Sequence, residues 1–428
     1  MLAVFLIALL PRLVVFGVAS VGPGTVLWVP DSLEYDRLGR NMALHGVFSQ
    51  SSAPPFVPDR QRVPLFPAQV AVSYLIAGDH ADTARRLSVA CNVAASALTA
   101  ALVAGLGSAW AGRRVGLAAG LVLATDLTSI TYSAVLLSET LFTLLLVVAT
   151  LAMARYAQRP LARRAALVGL LLGLATLTRP IGVFLPLALA PAFIVTHPLR
   201  RWPVALRDAG ICLVVVALLV GPWTLRGRAG GGADPVTTQA AINAYFHRGA
   251  LIEGAISGRD PQAVRAELEA EFAREATANS WSEKEQVRVM QERALRLLRA
   301  NPWLYVRLQV QGMLKVLSPD TDAIFDTLGL RATADVQPAR WVYRFWAGLG
   351  LAQLALLYAL AIAGVAELVR TRRWFVAAVL LAPAAYLLIS AGPEAYARFR
   401  PPLMPAVALL AAFGLTQWRA DAPRMGRR

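Results

Sequence analysis

Residue types that build metal, redox or nucleophilic sites are scarce in this chain of 428 residues, which has two cysteines and four histidines. Cys91 and Cys212 both fall inside apolar runs, so we expect small buried hydrophobic side chains and no disulfide or metal pair. The histidines have no spacing typical of metal ligands, so no metal site is predicted from them. GxSxG, P-loop and CxxC patterns are absent too, which argues against a serine-hydrolase site or a soluble-type nucleotide site.

Acidic residues are also few: 26 Asp and Glu stand against 42 Lys and Arg, which leaves a formal net charge of +16. What the chain has instead is apolar sequence, with 57% hydrophobic residues and a mean hydropathy of +0.53. That composition lies outside the range of soluble globular domains. Many apolar runs approach the roughly 20 residues that a helix needs to cross a bilayer. We therefore predict an all-α polytopic membrane protein.

The apolar runs predict about ten transmembrane helices, and the placement of arginine predicts their orientation. The helices are expected near residues 2–21, 85–107, 115–133, 137–155, 165–178, 180–196, 208–225, 344–368, 374–391 and 401–418. With the N-terminus inside, five arginine clusters fall on the inner side, at residues 113–114, 159–164, 200–207, 370–373 and 419–428. Most of the surplus charge is then a topology signal, so both termini are expected to be cytoplasmic and nucleic acid is not an expected partner. No Lys or Arg precedes the first run, which favours an uncleaved membrane helix over a signal peptide.

Two long segments are left on the outer side of the membrane. The first, residues 22–84, contains a short amphipathic helix that begins at Pro30 and Asp31 and ends at a glycine. Glu34 stands where a side chain can reach back to the helix start, as in a capping box. Such a helix lies in the membrane interface. The apolar stretch 68–77 is too short to span and is predicted to be a second interfacial or re-entrant helix.

The second outer segment, residues 226–343, is polar and is predicted to be mostly helical. Its helix-start signals are Asp260-Pro261, a capping box at Ser282–Glu285 and Asn301-Pro302. We therefore expect an N-terminal transmembrane core that includes the interfacial loop, then this outer segment, then C-terminal transmembrane helices with a basic tail. The boundaries of these three parts are expected at residues 1–225, 226–343 and 344–428.

Several charged side chains stand where the predicted topology puts helix ends on the outer face. They are Asp31, Arg62, Asp126, Glu139, Arg179, Arg226, Arg398 and Arg400. Ionisable groups at membrane depth are unfavourable and usually functional, so we predict one polar cavity level with the lipid headgroups. A structural alternative stays open for each group, because an acid can simply cap a helix or pair with an arginine and an arginine can reach for headgroups.

This mixture of carboxylates and guanidiniums suits chemistry on a lipid-linked sugar. The polyprenyl tail of such a donor stays in the bilayer, and its phosphate lies at headgroup level. Arginine binds two phosphate oxygens at once and stabilises the charge of a leaving phosphate. A carboxylate can take the proton of an acceptor hydroxyl as that hydroxyl attacks the anomeric carbon. Attack from the face opposite the phosphate would invert the anomeric centre.

Six short motifs resemble those of the GT-C fold membrane glycosyltransferases, specifically the bacterial relatives of protein O-mannosyltransferases and of lipid A aminoarabinose transferase (glycosyltransferase family 39). The motifs are Asp31–Tyr35, Arg62–Pro67, Ser138-Glu139, Leu177–Pro180, Pro222–Arg226 and Ala397–Pro401. Each motif is short, but their order and their topological side make the set fairly specific. The resemblance covers nearly the whole membrane part and little of the segment 226–343.

The resemblance implies an inverting transferase at the outer face of a bacterial cytoplasmic membrane that takes a sugar from a polyprenyl-phosphate donor. It implies Asp31 as the general base, Glu139 as a second functional acid and Arg398 as a ligand of the donor phosphate. Arg62 and Arg179 are further predicted phosphate ligands, and the predicted supporting residues are Tyr35, Asp126, Arg226 and Arg400. Some relatives use a divalent cation, which Asp31 with Glu139 or Asp126 could hold through oxygen ligands, but no metal ligands are predicted.

The chain departs from the family pattern at Gly227, where Asn is more usual after the arginine, and at Asp126, where Pro is more usual. The acceptor stays open between a protein, a lipid and a polysaccharide. Two other functions also stay open. One is a transporter or flippase of lipid-linked sugars, although such proteins often show paired repeats and no matching halves are visible here. The other is a polysaccharide polymerase or ligase that uses a diphosphate-linked donor.

Overall fold

In a computed structural model the described residues are 1–21, 25–229, 235–329 and 340–421, and these are almost entirely helical. No strand occurs within these ranges, where an isolated bridge joins Ser49 and Pro58. The helices before residue 230 are α1 (Leu2–Val21), α2 (Pro30–His45), α3 (Leu65–Ala77), α4 (Ala81–Ala111), α5 (Arg113–Ala124), α6 (Leu127–Ser133), α7 (Glu139–Gln158), α8 (Ala162–Thr178), α9 (Leu185–Thr196) and α10 (Trp202–Ala229). The later helices are α11 (Pro235–Ile242), α12 (Gly249–Ser257), α13 (Pro261–Ala278), α14 (Glu283–Ala300), α15 (Pro302–Leu317), α16 (Thr321–Thr327), α17 (Arg340–Arg370), α18 (Trp374–Ser390) and α19 (Met404–Asp421).

Five helices in the described part of the chain, α1, α4, α7, α10 and α17, are long and apolar enough to cross a membrane. The bent pair of α5 and α6 adds a sixth span if it counts as one. Other apolar segments, among them α3 and α18, are shorter. The chain is thus an all-α, multi-pass membrane protein. The predicted count of ten spans is not confirmed, and the predicted division into three parts stays a prediction.

The helix predicted near 115–133 is broken in the structure, because the chain bends by 55° between α5 and α6. Asp126 caps α6 by accepting a hydrogen bond at 2.8 Å from an amide in the first turn of that helix. The fully buried Arg12 of α1 donates to the carbonyl oxygens of Leu123 and Ala124, at 3.0 and 3.1 Å. A helix break inside a membrane protein requires partners for the freed backbone groups, and Arg12 and Asp126 supply them.

The short helix predicted in the first loop is present as α2, and it ends at Gly46 in a left-handed conformation with φ 66°. Its position in the membrane interface stays a prediction. The predicted capping is wrong in detail. Val29 is the N-cap residue and no side chain caps the helix, while the Glu34 carboxylate binds an arginine instead. Gly39 lets α2 approach α3 closely, because a Cβ at that position would lie 2.4 Å from the side chain of Val70.

Close helix contacts also organise the C-terminal membrane helices. A Cβ at Gly364 of α17 would lie 1.9 Å from the carbonyl oxygen of Leu410, and one at Gly414 of α19 would lie 2.1 Å from that of Leu360. Small residues at such crossings allow helix backbones to pack together where no hydrophobic effect drives their association. Either glycine is therefore a position where even a methyl group disturbs the packing of α17 on α19.

The two cysteines differ in environment. Cys212 is buried as expected, whereas Cys91 is exposed on α4, so the prediction of burial is wrong for Cys91. An apolar run does not by itself tell which face of a helix packs on its neighbours when the surrounding medium is also apolar.

The segment 235–329 between α10 and α17, called here the intervening segment, is mostly helical, with short breaks between its helices. The predicted helix starts are confirmed: Asp260 caps α13, Ser282 and Glu285 form a capping box at α14, and α15 begins at Pro302. A π-helical turn over Asn243–Arg248 precedes α12 and is not foreseen from the sequence. Such turns are often found at functional sites.

Candidate active site

Five charged residues predicted for the site come from five separate elements. Asp31 lies in the first turn of α2, and Glu139 is the first residue of α7. Arg179 follows the last residue of α8, and Arg398 lies in a short 3₁₀ turn, Ala397–Phe399, between α18 and α19. Arg62 lies in the loop before α3, where its own amide donates to the Asp59 carboxylate at 2.8 Å. The structure brings all five side chains together.

Asp31 is held on both sides by guanidinium groups. Its Oδ1 atom accepts a hydrogen bond from Arg62 Nη2 at 2.7 Å, and its Oδ2 atom accepts one from Arg398 Nη2 at 2.6 Å. Burial opposes ionisation of this carboxyl, but the charges of Arg398 and Arg62 outweigh burial and hold the pKa of Asp31 below its ordinary value. Asp31 is therefore ionised in the free protein.

Glu139 is completely buried and is the most deeply buried acid of the site. Its Oε1 atom accepts hydrogen bonds from Arg398 Nε at 2.5 Å and contacts Arg179 Nη1 at 2.7 Å. Its Oε2 atom has no hydrogen-bond partner. Removing the arginines would leave a buried carboxylate without compensation, which is strongly unfavourable, so Glu139 depends on both of them.

These contacts continue into one chain of ion pairs in which carboxylates and guanidiniums alternate. In order its members are Glu34, Arg62, Asp31, Arg398, Glu139 and Arg179, and we call them the ion-pair chain. The exposed fraction of the acidic side chains falls from 31% at Glu34 to 1% at Glu139. The ion-pair chain therefore begins near solvent at Glu34 and becomes buried at Glu139. Three negative and three positive groups leave it with no net charge.

Glu34 is a member that the sequence prediction missed as a site residue. Its Oε2 atom accepts a hydrogen bond from Arg62 Nε at 2.7 Å. The available signal was its spacing of three residues from Asp31, which places both carboxylates on one side of α2. That signal is ambiguous, because the same spacing also fits a capping box.

Aromatic rings flank two of the arginines. Arg62 lies 5.2 Å from the centre of the Tyr35 ring, and the Tyr35 hydroxyl is 3.2 Å from Ser138 Oγ. Arg179 lies 5.6 Å from the centre of the Phe399 ring. Both distances are within the range of cation–π contacts. Tyr35, a predicted supporting residue, is thus part of the wall of the site.

The other three predicted supporting residues lie outside the ion-pair chain. Asp126 is the cap of α6. Arg226 stacks on Trp223, with 4.6 Å from its guanidinium to the ring centre, and reaches the Asp59 carbonyl oxygen at 3.4 Å. Arg400 is buried and donates to the Ser318 carbonyl oxygen at 2.5 Å, while its Nε atom has no partner. Their proposed roles stay predictions.

The turn that carries Arg398 is held by the intervening segment. Arg248, from the π-helical turn, donates through Nε to both carboxylate oxygens of Glu394, at 3.1 and 3.2 Å. A Cβ at Gly312 of α15 would lie 2.4 Å from the carbonyl oxygen of Gly392, so α15 rests directly on the same loop. The intervening segment therefore helps to fix the position of Arg398.

His247, next to Arg248 in the π-helical turn, lies close enough to Asp31 to be affected by its charge. Burial, and then the neighbouring cation of Arg265, lower the pKa of His247 to about 4. The imidazole is therefore neutral near pH 7. No group of three or more His, Cys, Asp or Glu side chains that could hold a metal ion is found among the described residues.

An apolar cavity of about 590 Å³, measured with its open mouth, lies among α4, α7, α8, α9, α18 and α19. Its wall includes Leu146 and Thr150 of α7, and Pro402, four residues after Arg398. At 1.5 Å of rise per residue, these α7 positions lie roughly 10 to 16 Å along the helix from Glu139. The cavity thus begins about two or three isoprene units along a lipid tail from the ion-pair chain.

The fold is that of the GT-C membrane glycosyltransferases. Two crystal structures of the Archaeoglobus fulgidus oligosaccharyltransferase match this chain over nearly its full length. The apo form has a TM-score of 0.55 at 16% identity over 100% of this chain, and the complex with Zn and sulfate has 0.57 at 14% over 98%. The apo structure of ArnT from Cupriavidus metallidurans matches at 0.39 and 15% identity, over 91% of this chain and 73% of that one.

Residues 59–225 match the sequence family of dolichyl-phosphate-mannose-protein mannosyltransferases. The match covers three of the five convergent residues, Arg62, Glu139 and Arg179. With the shared fold it confirms the resemblance to GT-C membrane glycosyltransferases of the family 39 type. This chain spans 52% and 49% of the length of the two oligosaccharyltransferase structures. No curated protein matches it in a sequence search.

Proposed function

We propose that this protein is an inverting membrane glycosyltransferase that moves a sugar from a polyprenyl-phosphate donor to an acceptor hydroxyl. The observation that carries the proposal is the convergence of Asp31, Glu139 and three arginines from five separate elements. The family that matches residues 59–225 is named for a dolichyl-phosphate sugar donor, which supports a donor of this class.

The donor would be held at two levels. Its phosphate binds the guanidiniums of Arg398, Arg62 and Arg179, which offer forked donors suited to phosphate oxygens. Its tail enters the apolar cavity that begins beyond Pro402. An apolar cavity close to several guanidiniums matches a lipid whose only charge is its phosphate.

In the reaction, the acceptor oxygen attacks the anomeric carbon and Asp31 takes the proton of the acceptor hydroxyl. The bond between the anomeric carbon and the phosphate oxygen breaks, and its electron pair stays on that oxygen. The products are the glycoside and a polyprenyl phosphate that carries one more negative charge. The arginines stabilise this charge as it develops, and Glu139 keeps Arg398 and Arg179 in position. Asp31 then releases its proton to solvent.

The arginine clusters favour an orientation with both termini in the cytoplasm and the site at the outer face of a bacterial cytoplasmic membrane. In this orientation the site meets a lipid-linked sugar and not a cytosolic nucleotide sugar. The acceptor is a protein, a lipid or an envelope polysaccharide. A divalent cation is not needed for any step above.

The test uses purified protein in lipid nanodiscs with polyprenyl-phosphate sugars and extracted envelope acceptors. We expect loss of donor and appearance of a glycosidic product with wild-type protein, and loss of both with Asp31→Asn while the variant remains folded. Asp79→Asn is the matched control, because Asp79 pairs with Arg40 on the exposed side of α2. Normal turnover by Asp31→Asn would refute the base assignment. Movement of intact donor across vesicles without product would indicate a transporter.

A further inference from the structure

The two arginines that bind Asp31 each donate through Nε to a glutamate and through Nη2 to Asp31. In Arg62, Nε donates to Glu34 at 2.7 Å and Nη2 donates to Asp31 at 2.7 Å. In Arg398, Nε donates to Glu139 at 2.5 Å and Nη2 donates to Asp31 at 2.6 Å. Arg62 Nη2 also lies 2.6 Å from Glu34 Oε2, so Glu34 contacts both Nε and Nη2 of Arg62. Each guanidinium is thus held through Nε by a glutamate and donates through Nη2 to the same aspartate.

The charge of the site limits how a phosphate can bind there. The ion-pair chain has three carboxylates and three guanidiniums, so it is neutral before the donor arrives. A sugar phosphodiester adds one negative charge to a largely buried site, which is unfavourable unless a carboxylate leaves its partners or takes up a proton. Asp31 is the member whose two oxygens both face the outer edges of arginines.

We propose, on the basis of the proposed function, that the donor phosphate replaces Asp31 on the Nη2 atoms of Arg62 and Arg398, and that Glu34 and Glu139 hold the two arginines in place during the exchange. Asp31 occupies the phosphate position in the free protein, and donor binding releases it as the base. Glu34 is then a positioning residue of the site. The acceptor reacts only after the donor has bound, because Asp31 is otherwise held by both guanidiniums.

The exchange explains how a carboxylate bound by two arginines can act as a base. In the free protein the guanidiniums keep the pKa of Asp31 low, and a weak base accepts a proton poorly. When phosphate takes the Nη2 atoms, the favourable charge contacts of Asp31 weaken and a new negative charge lies beside it. Both changes raise the affinity of Asp31 for a proton, at the moment when the acceptor needs one removed.

The first test measures binding without turnover. The probe is an undecaprenyl methyl phosphodiester, which has the donor's single charge but no sugar to transfer, and binding is followed by calorimetry in nanodiscs. Because the Asp31 carboxylate competes with the probe for charge-assisted hydrogen bonds, we expect Asp31→Asn to bind about tenfold more tightly than wild type. Asp79→Asn removes the same charge from an exposed pair and should bind like wild type. Equal or weaker binding by Asp31→Asn overturns the exchange.

The second test uses the pH dependence of the same binding. A ligand that raises the pKa of a group binds more tightly as pH falls toward that pKa, so wild-type affinity should rise between about pH 7 and 4.5 and the rise should be absent in Asp31→Asn. The titratable or charged groups around Asp31 are Glu34, Tyr35, Arg62, Glu139, His247, Tyr396 and Arg398. His247→Gln should keep the rise. A flat wild-type profile shows that phosphate binds beside an intact Asp31 pair and refutes the proposal.

The third test addresses Glu34 with enzyme kinetics. Glu34→Ala removes the anchor of Arg62, so we expect the donor KM to rise about tenfold with kcat changed less than the donor KM. Glu34→Gln keeps an acceptor for Arg62 Nε and should recover most of the loss. A purely structural role would lower the amount of folded enzyme and leave KM unchanged. The two binding tests need no catalysis, whereas sugar transfer is measured separately as donor consumption. A failure of the proposed exchange and a failure of the proposed transferase function can therefore be distinguished.

Discussion

Arg398 is the residue whose replacement tests the proposed site most directly, because it alone bridges Asp31 and Glu139 in the described part of the chain. Arg398→Lys keeps the positive charge but replaces a planar fork by a single ammonium group, which cannot hold both carboxylates and a phosphate in the same geometry. The change removes at least one charge-assisted hydrogen bond, worth about 1.5 to 3 kcal/mol. Since about 1.4 kcal/mol corresponds to a factor of ten in rate, kcat/KM for the donor should fall roughly 10- to 100-fold.

The assay is donor consumption by purified enzyme in nanodiscs, with the folded fraction measured by size-exclusion chromatography. Arg373→Lys is the matched control. Arg373 lies at the start of α18 and donates to the Trp110 carbonyl oxygen at 2.9 Å, with no carboxylate in that bond. It should retain kcat/KM within about twofold of wild type. If Arg398→Lys also turns over like wild type, the forked bridge between the two carboxylates is not required and the proposed reason for using arginine here is wrong.

Three further predictions concern stability. Asp126→Ala removes the cap of α6 and should lower the free energy of unfolding by about 1 kcal/mol, seen as a lower melting temperature, with unchanged donor KM in the folded fraction. Gly364→Ala places a methyl group against the Leu410 carbonyl oxygen and should destabilise by about 1 to 3 kcal/mol, whereas Gly348→Ala, with open space around it on the same helix, should not. His247 has its pKa lowered to about 4 in the folded protein, so its contribution to stability is present above about pH 6.5 and is lost as pH falls toward 4. His247→Gln should therefore flatten the loss of stability in that window, by up to about 3 kcal/mol, and a profile identical to wild type would contradict the buried neutral imidazole.

The features that could be predicted from sequence are those that act locally or stand out against an apolar background. The starts of α13, α14 and α15 follow from capping and proline positions that operate within one turn. Asp31 and Arg398 were detectable as site candidates because a charged side chain at a membrane helix end is rare enough to require a reason. Both signals are independent of the rest of the fold.

The features that could not be predicted depend on partners distant in the chain. Asp31 and Arg398 are separated by 367 positions, and no local pattern encodes their contact. The same limit applies to the bend between α5 and α6, because the side chain that satisfies the end of α5 is Arg12 of α1. The spacing of Glu34 predicts a capping residue, because capping needs only the neighbouring turn, whereas its partner in the structure is Arg62, from the loop before α3.

The contact between α15 and the loop before α19 has a consequence for exchanging parts between related enzymes. Gly312 rests on the backbone of Gly392, and Arg248 binds Glu394 in the same loop. A chimera that imports a foreign segment in place of residues 235–329 would leave this loop without its matching surface. Donor-site function should survive such a graft only if residues 391–396 are transplanted together with the segment, because the two stretches pack on each other despite their separation in the sequence.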